Sequence, residues 1–296
     1  MLMNKVILGF LIIGIAIIGG TLYYFTRPTK IQIRIAGSTT CLPIIQEAAI
    51  QFMSEHPEVS INVEGGGSGH GYASLIDRAI DIAMASRPPK QIEVDQATQN
   101  GVELRLHKIA MDAVVIIVNP KVADDYLNLT LEQVAKIFAG NYTKWKEVDS
   151  SLPNEDIIVF TREAGSGTRG TFEEHVMEPF GLEITADAHE VPSNPQMAIS
   201  IKNTDYSIGY VGLGFYNEHD HGIVYLAVND TSPYIPPTKE NIYSLEYPIA
   251  RYLYLVTNGE PEEGSWISRF IAFVLSSEGQ QIVEEKGFLP LPSEND

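Results

Sequence analysis

Three times in this chain an apolar strand-like stretch runs into a short loop of glycine and hydroxyl residues, and then into apolar residues at helical spacing. Ile31, Ile33 and Ile35 alternate with Gln32 and Arg34, as in a strand. Gly37-Ser38-Thr39-Thr40 follows, and then Leu42, Ile45, Ala49 and Phe52 at helical spacing. That helix is expected to stop near His56-Pro57, because proline disfavours helix at the residue before it. Val59, Ile61 and Val63 form a second strand that enters Gly65-Gly66-Gly67-Ser68-Gly69, after which Tyr72, Leu75, Ile76 and Ala79 share a helix face. Ile80, Ile82 and Met84 alternate again, up to Arg87-Pro88-Pro89. Strand, helix, strand, helix, strand implies parallel pairing with helices over the faces, an α/β protein. The third junction lies farther on: a strand at 157–160 leads into Arg162-Glu163-Ala164-Gly165-Ser166-Gly167-Thr168 and a helix with Phe172 and Val176 on one face.

Between these junctions, Ala113-Val114-Val115-Ile116-Ile117-Val118 is an unbroken apolar run, the pattern of a strand buried on both faces. Thr130 to Ala139 reads as a helix whose N-cap Thr130 and Gln133, three places on, complete a capping box. Ile208 to Val211 and Pro248 to Thr257 read as strands, and Trp266 to Leu275 and Glu278 to Glu285 as helices. The 296 residues allow one large domain or two of ordinary size. The lone Cys41 excludes an internal disulfide and a Cys-based zinc or iron–sulfur cluster within one chain. Residues 6–25 carry no charge, and such a run of 20 is long enough to cross a bilayer as a helix, with Tyr23, Tyr24 and Phe25 as an interfacial belt. Residues 1–29 are therefore expected to be a membrane anchor, or else a cleaved signal segment, and the remainder to lie outside the cytoplasm.

Each of the three loops should sit at a helix N-terminus, where free N–H groups and the helix dipole favour an anion. Ligands on open α/β sheets bind beyond the carboxyl ends of strands, which is where these loops fall. Taken singly, such residues are ordinary N-caps and turns; three on one scaffold, one preceded by Arg162, point to an anion site. A formal net charge of −18 repels polyanions and argues against a nucleic-acid partner. Screening over about 8–10 Å leaves a local site free to attract a small anion. The loops contain no P-loop and no complete dinucleotide fingerprint, and Ala164 breaks the G-x-S-x-G pattern around Ser166. His219 and His221 sit in a polar loop better explained by solvation than by a metal, and no base, nucleophile or metal set marks an enzyme.

At these loops the chain resembles the extracytoplasmic phosphate-binding proteins that serve the phosphate-specific ABC transporter. The likeness runs through AGSTTCLPI (36–44), GGGSGHG (65–71), DIAMASRP (81–88), VVIIVNP (114–120), LTLEQVAKIFAGNYTKWKEV (129–148), TREAGSGTRGTFEE (161–174) and IGYVGLGF (208–215). The resemblance implies a two-lobed periplasmic-binding-protein fold with two interlobe crossings, near Asp112-Ala113-Val114 and Ile249-Ala250-Arg251. One lobe would be 30–111 plus 256–296, and the other 112–255 with the return crossing. It further implies a monomeric receptor for inorganic phosphate, without cofactor or metal, that delivers its ligand to ABC permease subunits. The ligand contacts would fall on Thr39, Thr40, Ser68, Ser86, Arg162, Ser166, Gly167 and Thr168, with Ser38, Gly69, Arg87 and Asp112 as further candidates.

Two positions depart from the family pattern. An aspartate that accepts the proton of bound hydrogen phosphate in well-known members is here Ser86, followed by Arg87; a second aspartate is here Ala164, with Glu163 beside it. A carboxylate acceptor would reject fully ionised sulfate, so its absence keeps sulfate, molybdate or tungstate open as alternative ligands. A phosphate-sensing module coupled to a membrane kinase is a further alternative. Asp112 is expected either to replace the missing acceptor or to cap backbone amides at the first crossing, and Arg87 either to add positive charge or to pair with a carboxylate, the first being the working expectation.

Overall fold

The computed structural model describes residues 30–292, so the expected anchor at 1–29 lies outside the described residues. Among the described residues no helix is long and apolar enough to cross a membrane. The first part of the chain forms β1 (Ile31–Gly37), α1 (Leu42–Glu55), β2 (Val59–Glu64), α2 (Ser68–Ile76), β3 (Ile82–Ala85), α3 (Gln91–Gln99) and β4 (Leu104–Val118). It continues through β5 (Tyr126–Thr130), α4 (Leu131–Phe138), α5 (Trp145–Val148), β6 (Ile158–Arg162), α6 (Gly167–Phe172), β7 (His189–Val191), α7 (Asn194–Asn203) and β8 (Ser207–Gly212). The last elements are β9 (Gly222–Ala227), α8 (Lys239–Tyr243), β10 (Ala250–Asn258), α9 (Trp266–Leu275) and α10 (Ser277–Glu285).

β1 pairs in parallel with β2 on one side and β3 on the other, as the strand–helix alternation requires. The full sheet runs β2-β1-β3-β10-β4-β8-β6-β7, with β9 attached to β4 and β5 to β9. β4 is the pivot. Its first ten residues run antiparallel to β10, from Leu104↔Asn258 to Ala113↔Ala250, with a register shift that leaves Ile109 unpaired. At Val114 the partner changes to β8, beginning with Val114↔Gly212. The buried side chains divide in the same way. Ile33, Ile45, Phe52, Leu253 and Phe270 belong to one apolar cluster, and Val115, Phe138, Trp145, Phe172 and Tyr210 to another. This is the two-lobed architecture, with the loops that follow β1, β2, β3 and β6 opening toward the boundary between the halves.

β4 starts nine residues before the apolar run at 113–118. Its first five residues are exposed or half-buried, so only the buried part stands out as a continuous stretch. α4 begins where the sequence pattern puts it. Gln133 N–H donates to Thr130 Oγ1 at 3.2 Å, and Thr130 N–H donates to Gln133 Oε1 at 2.9 Å. The helix then buries Leu131, Val134, Ala135, Ile137 and Phe138. Replacing Thr130 by Ala should cost about 1 kcal/mol of stability in chemical denaturation, while Thr130→Ser should restore it.

Cys41 precedes α1 and is fully buried, with its thiol 3.4 Å from Ala85 O. Burial pushes the Cys41 thiol up to about 12. Because the folded chain holds this proton more tightly than the unfolded chain, its contribution to stability is complete below the unfolded thiol pKa. It is lost as pH rises from there toward 12. Alkylation at pH 8 should leave the folded chain unlabelled and label it once denaturant unfolds it; rapid labelling of the folded chain would contradict this burial.

Candidate functional site

β1 ends at Gly37, whose φ of 139° lies in the region that favours glycine; a Cβ there would collide with the carbonyl of Met84. Ser38 N–H donates to that same carbonyl at 2.8 Å, fixing the Ser38–Thr40 loop over β3. Gly67, at φ 88°, donates its N–H to Gly37 O at 2.9 Å and sets Ser68 as the first residue of α2. Arg162 ends β6, its N–H donating to the hydroxyl of Tyr210, whose ring stacks on Phe172 with centroids 4.3 Å apart. Ser166 caps α6, accepting from Arg169 N–H at 3.2 Å, and Gly167 and Thr168 open the helix.

The three loops meet. Gly69 N–H donates to Gly165 O across the boundary at 2.9 Å. Arg162 Nη2 donates to Thr39 Oγ1 at 3.2 Å, and the hydroxyls of Thr40 and Thr168 lie 3.1 Å apart. Ser86, immediately after β3, places its Oγ 3.3 Å from Ser68 Oγ, and its N–H donates to Ser68 Oγ at 3.0 Å. A side chain on Gly167 would collide with both of these serine hydroxyls, so glycine at this position permits the two halves to close. Ser38, Thr40, Ser68, Ser86, Arg162, Ser166 and Thr168 are all buried.

Three arginines are buried around this meeting point, each against one carboxylate. Arg162 is 1% exposed and donates to both oxygens of Glu163, at 3.0 and 2.9 Å, and to the carbonyls of Val191 and Pro192. Arg87 grips Glu93 with two bonds of 2.7 Å and lies over the Tyr72 ring. Arg251 grips Asp112 with bonds of 2.8 and 2.7 Å to Oδ2. Among the described residues, the buried side-chain nitrogens and oxygens that lack a partner are Arg87 Nε, Arg162 Nη1 and Arg251 Nη1. A buried guanidinium N–H without an acceptor is costly, and native structures seldom leave one so. The N–H groups of Ser68, Gly167 and Thr168 add donors, because the first residues of a helix have no intrahelical acceptor. The surroundings are therefore rich in donors and formally neutral in their ion pairs, an arrangement that accommodates a small oxyanion.

This geometry bears on two residues for which the sequence left alternatives. Arg87 is held by Glu93 six residues onward rather than offered to the cleft, a bidentate pair that engages both of its Nη atoms within its own lobe. Asp112 caps the Leu213 N–H at 2.9 Å and binds Arg251, so its oxygens are already engaged as acceptors at the crossing. Burial raises its carboxyl pKa, and the Arg251 guanidinium opposes that shift. The amides of Thr40 and Gly69 are occupied by Ser38 Oγ and Gly165 O. Sequence reasoning missed Arg251 and Asn194. A lone arginine in the apolar stretch PIARYLYLVT was the available signal for the first, whereas Asn194 in an Asn-Pro step at a helix start carried none. The ring nitrogens of His221 face two carbonyls, Nε2 lying 2.8 Å from Ala198 O and Nδ1 3.2 Å from Asn217 O, and no cluster of three metal-ligating side chains occurs among the described residues.

Residues 26–278 match the family model described as a PBP superfamily domain. The phosphate-binding protein PstS of Borreliella burgdorferi is 33% identical over 263 residues, covering 87% of this chain and 89% of the relative. A substrate-binding protein from Clostridium perfringens, solved with bound phosphate, superposes with a TM-score of 0.75 at 28% identity, covering 88% of this chain and 100% of that one. An ABC-type phosphate transport receptor from Vibrio cholerae gives a TM-score of 0.69 at 28% identity, with coverage of 88% and 100%. The chain belongs to the PBP superfamily and, within it, to the family of phosphate-binding proteins that these relatives represent.

Proposed function

We propose that this chain is an extracytoplasmic receptor that binds inorganic phosphate between its two lobes and delivers it to the permease of an ABC transporter. The observation that carries the reading is the unpartnered, buried Nη1 of Arg162 at the place where three loop ends converge. Phosphate would take that N–H, the free amides of Ser68, Gly167 and Thr168, and the hydroxyls of Thr39, Ser68, Ser86, Ser166 and Thr168. One lobe would comprise 30–111 with 256–296, the other 112–255, and residues 1–29 would tether or export the monomeric receptor. Like its relatives, the chain is a receptor and not an enzyme.

Closure is written into the contacts. The bonds Gly69–Gly165, Arg162–Thr39 and Thr40–Thr168 each join residues of opposite lobes, so they form when the lobes come together around the ligand. Inside the closed cleft the anion trades water for fixed donors in a medium where each such bond is stronger than in water. Selectivity for hydrogen phosphate over sulfate would rest on Ser68 and Ser86. A hydroxyl can accept the P–OH proton as well as donate, and the surrounding arginine-bound carboxylates need not do so.

Calorimetry on the full chain in detergent should register phosphate binding, and Arg162→Ala should weaken it by about a hundredfold or more. No heat with phosphate at any pH from 5 to 9 would refute the reading. Phosphate at a hundred times its dissociation constant should stabilise the folded chain by about 2.7 kcal/mol, seen as a rise in Tm, whereas sulfate at the same concentration should give a much smaller rise. Equal shifts from both anions would remove the selectivity part of the proposal.

A further inference from the structure

Behind the converging loops, Thr40, Thr168, Asn194 and Arg251 form a buried polar cluster drawn from α7, β10 and two of the loops. We propose that Asn194 and Arg251 fix the direction of a two-hydroxyl relay, Thr40 to Thr168, so that Thr168 meets the bound anion only as a donor. The proposal rests on the phosphate reading above and adds to it two positioning residues that set which oxygen of the ligand carries its proton.

The direction follows from counting donors. Gly212 N–H lies 3.3 Å from Asn194 Oδ1, and an N–H must face an acceptor, so the Asn194 amide nitrogen is the atom 2.8 Å from Thr40 Oγ1. Arg251 Nη2 has two hydrogens: one meets Asp112 Oδ2 at 2.7 Å, and the other is shared between Thr168 Oγ1 at 3.2 Å and Thr40 Oγ1 at 3.4 Å. An amide NH2 and a guanidinium only donate. Thr40 is 1% exposed, and among its hydrogen-bond partners the atom able to receive its hydroxyl proton is Thr168 Oγ1 at 3.1 Å. The reverse order would bury the Thr40 proton without an acceptor. Thr168 Oγ1 therefore receives Thr40 and Arg251, and its own proton is left for the ligand.

Selectivity follows from this order. An oxygen facing Thr168 must be unprotonated, because Thr168 has no accepting capacity left for a P–OH. The ligand's proton is turned instead toward Ser68 and Ser86, whose Oγ atoms face each other at 3.3 Å with either able to donate. The relay also reports closure, since Thr40 and Thr168 come from facing loops and meet only across the boundary.

The test is a double-mutant cycle read by phosphate calorimetry on the full chain. Asn194→Asp puts an acceptor where the donor stood, pulls the Thr40 proton away from Thr168 and lets Thr168 donate inward. It should weaken phosphate binding about tenfold at pH 8. Thr168→Val should cost about tenfold in the native background and less than about threefold in the Asn194→Asp background. The Asn194→Asp deficit, taken as a ratio to the native chain so that the ligand's own titration cancels, should shrink toward pH 5. As the new buried carboxyl begins to take up a proton there, it can donate to Thr40 again. Arg251 and Asp112 flank this cluster, with the Cys41 thiol within electrostatic reach of both, and all three are present in both proteins. Thr40→Val should lose about tenfold while Thr40→Ser keeps native affinity, which tests the relay without touching Asn194. Multiplicative losses in the cycle, a deficit that does not change with pH, or native affinity in Thr40→Val would each overturn the relay while leaving phosphate binding standing. Absence of phosphate binding by the native chain would overturn the phosphate reading and the relay with it.

Discussion

Everything at the cleft depends on how three guanidinium groups are kept out of water. Arg87, Arg162 and Arg251 each hold one carboxylate, which cancels most of the cost of burial, and each retains one nitrogen without an acceptor. Breaking any of these pairs would leave an uncompensated buried charge. The carboxylates thus make it possible to place cations in a dry cleft, and the residual N–H of Arg162 makes the cleft selective for something that accepts hydrogen bonds. A chain with a formal charge of −18 can attract a small anion on these terms, because the attraction is built from local donors rather than from the overall field.

The loops were legible in the sequence because their chemistry is local. A serine that caps the next helix is set by neighbours a few residues away, as Ser166 illustrates. Arg162 was legible because it abuts such a loop. The helix at 131–138 was legible from Thr130 and Gln133 alone. By contrast, the Asn194–Thr40 and Arg251–Asp112 bonds join residues 154 and 139 positions apart, and no periodicity announces them. α7 was hidden for a related reason. Its buried positions are Asn194, Met197 and Ile201, so its inward face opens on an amide instead of an apolar residue. Arg87 was misread because a basic residue near an anion loop invites that assignment, while Glu93 sits on a helix whose apolar pattern is too weak to mark.

Asp112 links the two levels of organisation. It lies on β4 two residues before the change of partner at Val114, accepts the Leu213 N–H in one lobe, and anchors Arg251, which in turn reaches the hydroxyls of both lobes. Backbone geometry at the crossing and side-chain geometry at the ligand are thus held by one carboxylate. The fold places the most buried ion pair among the described residues at the point where the chain passes from one half to the other.

The 15-residue strand that serves both halves has a mechanical consequence. A pair of linkers would let the halves swing freely, but a continuous ribbon bonded along Ala113↔Ala250 behaves as a flexure. It yields to bending across its face and resists shear along its length, since sliding would break the ladder one rung at a time. Opening is therefore confined to a single arc. Every excursion returns the same atoms to the same register, and a site assembled from distant pieces can be rebuilt identically at each cycle.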